Sequence, residues 1–204
     1  DKTVETQIGL EFNIGYIGKT KVAVVTSGNG KVSAALCVQV MVTRYAPELI
    51  INVGIAGSLN KSLKICDIIV ADRVVQHDVD TSALGDPIGM ISGIDKVYFD
   101  ADNEFNKKVH ECAGKLGLRT VSGIVASGDQ FIHLPEEKAK IVKNFNADAC
   151  EMEGAAVGHA CFVNKTPFCV LRSISDADGG ITDYNQFCLA AAAQTVKLIN
   201  VLLG

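Results

Sequence analysis

Glu151 and Glu153 stand on either side of Met152 at the end of a short apolar segment. In extended backbone, residues two apart share a face, whereas in a helix they point in nearly opposite directions. At a strand end both carboxylates therefore reach one pocket, the arrangement that acid–base chemistry or diol binding needs. At a helix N-terminus the same two acids would simply answer the macrodipole, and spacing alone leaves both readings open. Asp176 is a second candidate: it follows Ser173-Ile174-Ser175 at the end of a strongly apolar run and precedes Asp178-Gly179-Gly180, which reads as a mobile loop. A carboxyl held there can keep a raised pKa and act as an acid; the alternative is an ordinary loop aspartate or helix cap.

Two further segments end in polar or glycine-rich residues, Gly54-Ile55-Ala56-Gly57 and Ser127-Gly128-Asp129-Gln130-Phe131-Ile132, and Arg172 opens the step that leads to Asp176. Gly28-Asn29-Gly30-Lys31-Val32-Ser33 invites a phosphate-loop reading but lacks the spacer and the terminal Lys-Ser/Thr. As a dinucleotide fingerprint it has Ser33 where the third glycine belongs. It reads as a tight strand-to-helix turn. His77-Asp78-Val79-Asp80 has no second ligand set after it, so a loop role is expected and no metal. Met152 is either core filler or an apolar surface against a sugar.

The elements that must position these residues follow from periodicity. Strands are expected over residues 8–17 and 20–26, joined by a turn at Gly18-Lys19, and a helix over 31–45 with apolar positions at Val32, Ala35, Val38 and Val42. Strands follow at 49–53, ending at Gly54, and at 67–71. Residues 76–98 have no clear period and carry glycine and proline interruptions, so they form an excursion. A helix over 102–116, a strand over 121–127 and a helix over 135–144 come next, with Pro135 in the favoured first turn. Residues 148–152 are extended, 154–163 helical, and Phe168-Cys169-Val170-Leu171 is apolar throughout, as a strand covered on both faces must be. A last helix spans 184–203, with Asp183 and Gln186 spaced as a capping box. Strand–helix alternation with such strands predicts an α/β three-layer αβα sandwich with a central mixed, largely parallel sheet, binding its ligand beyond the carboxyl ends of strands.

With 204 residues, 48% hydrophobic and 21% charged, the chain has the composition of one globular domain with a substantial core. A net charge of −4 lends no support to nucleic-acid binding. No apolar run approaches the roughly 20 residues of a membrane span, and Asp1-Lys2-Thr3-Val4-Glu5-Thr6 lacks the pattern of a signal peptide. Neither nucleic acid nor membrane is thus an expected partner. Seven cysteines, without a Cys-x-x-Cys pair, read as free buried thiols in a reducing cytoplasm.

Taken together, these segments resemble the nucleoside phosphorylase/nucleosidase family over essentially the whole chain. The resemblance rests on Ile51-Asn52-Val53-Gly54-Ile55-Ala56-Gly57, Ser127-Gly128-Asp129-Gln130-Phe131-Ile132, Glu151-Met152-Glu153 and Arg172-Ser173-Ile174-Ser175-Asp176, in that order. It implies hydrolysis of the N-glycosidic bond of 5′-methylthioadenosine and S-adenosylhomocysteine, with 5′-deoxyadenosine as a further candidate, and release of adenine in methionine salvage and methyl-cycle recycling. No cofactor is implied.

The resemblance also implies residue roles. Asp176 protonates or hydrogen-bonds adenine N7, with Ser175 beside it; the Ile132 backbone reads the adenine edge and Phe131 stacks on the ring. Glu153 accepts the ribose hydroxyls, Met152 packs on the sugar, and Phe187 covers the ribose and the 5′ thioether. Arg172 and Glu151 are catalytic residues near the attacking water, and Ile55, Ala56 and Gly57 bind substrate. Thr81 and Leu84 cross a homodimer interface to line the 5′ pocket. The family's base is a glutamate just after its first β-strand; residues 1–204 are expected to form a single nucleosidase domain lacking that strand. The phosphorylase branch tends to carry arginine at the place of Asn52 and serine at that of Ile55, groups that clamp phosphate. Their absence favours water as nucleophile, although nucleosidases also usually have serine in place of Ile55. A purine nucleoside phosphorylase, or a non-catalytic binding or storage protein of the same fold, are the alternatives.

Overall fold

The first strands stand apart from the main sheet. In the computed structural model, which describes residues 2–177 and 181–204, β1 (Thr3–Gln7), β2 (Leu10–Ile17) and β3 (Thr20–Val24) form a separate three-stranded antiparallel sheet. The expected strand from residue 8 is corrected on two counts. Ile8 and Gly9 both take positive φ and turn the chain, and residues 3–7 form a strand that periodicity did not reveal. Its only aliphatic residue, Val4, is 50% exposed, so no apolar alternation marks it; pairing with β2 makes it a strand. The fully buried Phe12 fixes this sheet to α1 (Lys31–Tyr45), with its ring 5.6 Å from that of Tyr45.

The second sheet contains β4 (Ile50–Ser58), β5 (Ile68–Gln76), β6 (Tyr98–Asp100), β7 (Thr120–Ser127), β8 (Ala149–Glu151) and β9 (Phe168–Asp176), in the order β6-β5-β7-β8-β4-β9. The long pairings β4–β9 and β5–β7 are parallel, as is β7–β8. The short pairings β4–β8, β5–β6 and β5–β9 are antiparallel. Since β9 also meets β5, the strands β5, β7, β8, β4 and β9 close on themselves, which leaves β9 buried along all nine residues.

The helices supply the outer layers. α1 packs with α4 (Gly154–Asn164) over a core that includes Val38, Val74, Ala155, Cys161, Phe168 and Val170. α2 (Asn103–Lys115) and α5 (Ile181–Leu203) cover Ile68, Val70 and Leu171 with Val109, Ala113 and Leu198. α3 (Pro135–Phe145) buries Ile141 and Phe145 against Val75, Ala126 and Cys150. This is the expected αβα arrangement around a mixed sheet.

Several boundaries differ from the periodicity. β4 does not stop at Gly54 but runs to Ser58, because pairing with β9 carries the glycine-rich segment as strand. β5 likewise continues to Gln76. The excursion over 76–98 holds only a short 3-10 turn at Ser82–Leu84 and one isolated bridge. The last helix is in place by Ile181, so Asp183 lies in its first turn rather than capping it. Its carboxylate accepts from the Ala177 amide at 3.2 Å. Asp178-Gly179-Gly180 lie outside the described residues. By length and composition α5 could cross a membrane, with mean hydropathy 1.4, yet it lays Ala191, Thr195 and Leu198 on the sheet. Of the seven free thiols, Cys150, Cys161 and Cys169 are pushed up to about 12 by burial, which makes them inert packing groups.

α4 can lie this close to the sheet because most of its buried residues are small, among them Gly154, Ala155, Ala156 and Gly158. A Cβ at Gly158 would come within 2.6 Å of Val74 Cγ2 and 2.9 Å of Phe168 Cζ. Gly158→Val should therefore overpack the core and lower the unfolding free energy by about 1–3 kcal/mol in urea titration.

Candidate active site

Residues from four strands, at the ends of β7 and β8 and inside β4 and β9, converge on one buried ion pair. Arg172, in β9, is 1% exposed. Its Nε donates to Glu151 Oε2 at 3.0 Å, and its Nη2 donates to the same oxygen and to Asn52 Oδ1 in β4. Glu151, at the end of β8, also accepts from the Ser127 hydroxyl at the end of β7, from the Glu153 amide and from the Gly154 amide that opens α4. Ser127 Oγ in turn accepts from the Ala155 amide at 2.7 Å. Burial alone would raise the Glu151 pKa, but the Arg172 charge and the Ser127, Arg172 and Gly154 donors outweigh it and hold the carboxyl below the ordinary glutamate range.

Glu153 lies beside this pair. It is the N-cap residue of α4; its Oε2 is 3.7 Å from Arg172 Nη2, and its Oε1 accepts from the Gly30 amide at 2.8 Å. Burial and the Glu151 charge push its pKa up. Both readings of the acidic pair thus hold together: the two carboxylates share Arg172, and Glu151 also takes the first amide of α4.

The glycines of β4 explain how two large polar side chains fit over a strand. In register, Gly54 faces Arg172 and Gly57 faces Asp176. A Cβ at Gly54 would sit 2.5 Å from Arg172 Nη1, and one at Gly57 would sit 2.8 Å from Asp176 Oδ2. Between Ala56 and Gly57 the register shifts, so that Ser175 is the extra residue of a bulge. Bulges commonly re-aim a side chain beside an active site. Here Ser175 Oγ donates to Asp176 Oδ1 at 2.8 Å. Asp176 is 2% exposed, and its Oδ2 is buried without a hydrogen-bond partner, as are Arg172 Nη1 and Ser173 Oγ. Burial raises the Asp176 pKa, against the opposing pull of Ser175 and Lys138.

A ring of hydrogen bonds that the sequence did not reveal locks the loops around Glu153. The Lys31 amide donates to Asp129 Oδ1 at 2.7 Å, the Asp129 amide to Asp78 Oδ2 at 3.0 Å, and Lys31 Nζ to Asp78 Oδ1 at 2.6 Å. Lys31 Nζ also reaches Gln76 Oε1 at 3.2 Å. The ring joins the start of α1 to the ends of β5 and β7. Gly30, at φ 89°, leaves only 2.9 Å between a would-be Cβ and Asp129 Oδ1, so a side chain is excluded there. The glycine turn thereby presents its amide to Glu153. Asp78 is thus half of an ion pair, and Asp80 caps a turn by accepting from the Ser82 amide. No motif scan links residues 31, 78 and 129; only the sheet order brings them together.

The remaining candidates surround this centre. Phe131 is 43% exposed and meets the edge of the Tyr184 ring at 5.3 Å, while Ile132 is buried. Tyr184 is absent from the sequence-derived set; it lies one helical turn before the half-buried Phe187 on α5. Met152 and Ile55 are half-buried, and Ala56 and Gly57 are buried on β4. Thr81 spends its hydroxyl on Asp86 at 2.8 Å, and Leu84 is 84% exposed. Among the described residues no hydrogen bond or ion pair joins either of them to the Arg172–Glu151 centre.

Removing one partner of a buried pair strands the other charge. Arg172→Met should cost about 3–5 kcal/mol in chemical unfolding. Because the folded Glu151 pKa lies below the ordinary 4.5, its contribution is complete above that pH and is lost as pH falls through the folded value. Glu151→Gln should accordingly flatten the acid limb of the Tm–pH profile.

The sequence matches the Phosphorylase superfamily over residues 2–203. A 5′-methylthioadenosine/S-adenosylhomocysteine nucleosidase of Treponema pallidum is 36% identical over 216 residues, which cover 93% of this chain and 80% of that protein. Among solved structures, the Helicobacter pylori 5′-methylthioadenosine/S-adenosylhomocysteine nucleosidase with butyl-thio-DADMe-Immucillin-A superposes with a TM-score of 0.95 at 34% identity. The match covers 99% of this chain and 88% of that one. The futalosine hydrolase of H. pylori superposes with a TM-score of 0.94 at 34% identity, covering 99% and 87%. By sequence, fold and relatives alike, the chain belongs to the phosphorylase superfamily.

Proposed function

We propose that this chain is an N-glycosyl hydrolase that releases adenine from 5′-methylthioadenosine and S-adenosylhomocysteine. The observation that carries the reading is the state of Asp176: one oxygen held by Ser175, the other buried without a hydrogen-bond partner among the described residues, in surroundings that favour its protonated form. Such a group suits proton donation to a departing base. In this reading Asp176 gives its proton to adenine N7, the C1′–N9 bond breaks with its electron pair leaving on the purine, and water adds to the oxocarbenium-like sugar, its proton passing to solvent, from which Asp176 is reprotonated. Phe131 and Tyr184 offer aromatic surface for the purine. Glu153, with its raised pKa and its place beside Met152, receives the ribose hydroxyls. Glu151 has its acceptor sites filled by donors and works by fixing Arg172, whose unpartnered Nη1 is available to orient the water.

Water rather than phosphate is the favoured nucleophile. Asn52 is occupied with Arg172, and Ile55 offers no hydroxyl, so two phosphate-clamping groups of the phosphorylase branch are replaced. The relatives' names point the same way.

We also propose a homodimer in which Thr81 and Leu84 complete the partner's 5′ pocket. Leu84, Val32 and Leu36 are large aliphatic side chains left more than half exposed. The free thiols suit a reducing cytoplasm.

Adenine should appear from 5′-methylthioadenosine without phosphate, at a rate that added phosphate does not change. Asp176→Asn should cut that rate by about 10²–10⁴-fold. The same variant should be more stable than the wild type at pH 8. A carboxyl with a raised folded pKa contributes stability below its unfolded pKa and loses it as pH rises through the folded one. Below the ordinary aspartate range the Tm gain should vanish.

A further inference from the structure

Lys138 has no part in the chemistry described so far, yet it is the cation placed against Asp176. Its Nζ lies 3.8 Å from Asp176 Oδ2, the oxygen without a hydrogen-bond partner. The ammonium is not there by chance of rotamer. It donates to the Ala177 carbonyl at 2.9 Å, its side chain is only 16% exposed, and it projects from the first turns of α3, whose Ile141 and Phe145 are anchored in the core. Among the described residues, the charged and titratable groups around Asp176 are Lys138 from α3, Asp183 from the first turn of α5 and the Cys150 thiol from β8; β4 meets it with Gly57. Asp183 opposes ionisation of Asp176, while Lys138 favours it.

We propose that Lys138 is a positioning residue that acts through Asp176: its ammonium receives the negative charge that Asp176 acquires when it gives its proton to the adenine base. This rests on the reading of Asp176 as the acid. In the step concerned, the Asp176 O–H bond breaks, an N7–H bond forms, the C1′–N9 pair moves onto the purine, and the carboxylate is left 3.8 Å from a fixed positive charge. Lys138 itself neither gains nor loses a proton. The effect has two opposed consequences. A nearby cation makes the acid stronger, which eases transfer, and it also lowers the pH at which Asp176 loses the proton it must donate.

The test is the pH profile of kcat/KM for adenine release from 5′-methylthioadenosine by the wild type, Lys138→Met, Lys138→Gln and Lys138→Arg. The neutral variants should carry their alkaline limb about one pH unit or more higher, the size of effect expected of an adjacent charge. Their low-pH plateau should fall about tenfold, and Lys138→Arg should restore both features. A helix residue with a merely structural role would change amplitude or Tm and leave the limb in place. An alkaline limb at the wild-type position in both neutral variants overturns the proposal.

A second measurement needs no turnover. An immucillin-type inhibitor carrying 9-deazaadenine presents N7–H, so it prefers ionised Asp176, and its affinity by calorimetry should rise with pH. The midpoint of that rise should move upward in Lys138→Met by the same interval, and an unmoved midpoint again rejects the idea. Asp176→Asn separates the two levels. Wild-type turnover in that variant overturns the acid assignment, whereas lost turnover with unmoved Lys138 limbs overturns only the role of Lys138.

Discussion

A guanidinium and a carboxylate, both almost wholly withdrawn from water, set the terms for the site. The Arg172–Glu151 pair is tolerable because donors fill the oxygens of the carboxylate and the guanidinium Nε and Nη2 find acceptors, Nη1 being left without one. That demand reaches outward into the fold. Asn52 and Ser127 must be polar, Gly54 must lack a side chain, and α4 must begin where its first amides can point at Glu151. Ser127 passes the constraint one residue further by accepting from Ala155. Strands β4, β7, β8 and β9 therefore end at fixed positions relative to one another, and the pocket inherits that rigidity.

Against this charged centre, Asp176 occupies a contrasting environment on the same strand. Glu151 receives several donors and a cation and stays ionised; Asp176 receives one hydroxyl and a cation at the margin of ion-pair range, and burial dominates. Environments that push two carboxyls apart in pKa are the means by which one site divides its proton chemistry. Glu153 lies between them in character, raised by its charged neighbour yet tied to the Gly30 amide. That tie depends on the Lys31–Asp129–Asp78 ring, so the Glu153 side of the site is held by a separate set of loops.

Much of this was legible from residue patterns. Helices α1 and α3 and the buried strand β9 carry strong periodicity or continuous apolar runs, and they appear where expected. The four polar strand ends also converge as their order in an α/β fold implies. What periodicity missed has a common cause. β1 has a nearly polar sequence and exists through pairing with β2, and β4 continues through glycines because β9 lies alongside. In each case a tertiary partner overrides a weak local preference.

The amino-acid sequence by itself determined the layer architecture, the family and the identity of the polar groups, because these follow from local periodicity and from short motifs. Only the tertiary structure decided how those groups divide the labour. Glu151 and Glu153 are alike as residues two apart in a chain; one became a buried, saturated anion and the other a half-buried acceptor. Lys31, Asp78, Asp129, Lys138 and Tyr184 gained their significance in the same way. The physical reason is that pKa, hydrogen-bond saturation and charge pairing depend on distances of a few ångströms between segments far apart along the chain, and no local pattern encodes those distances.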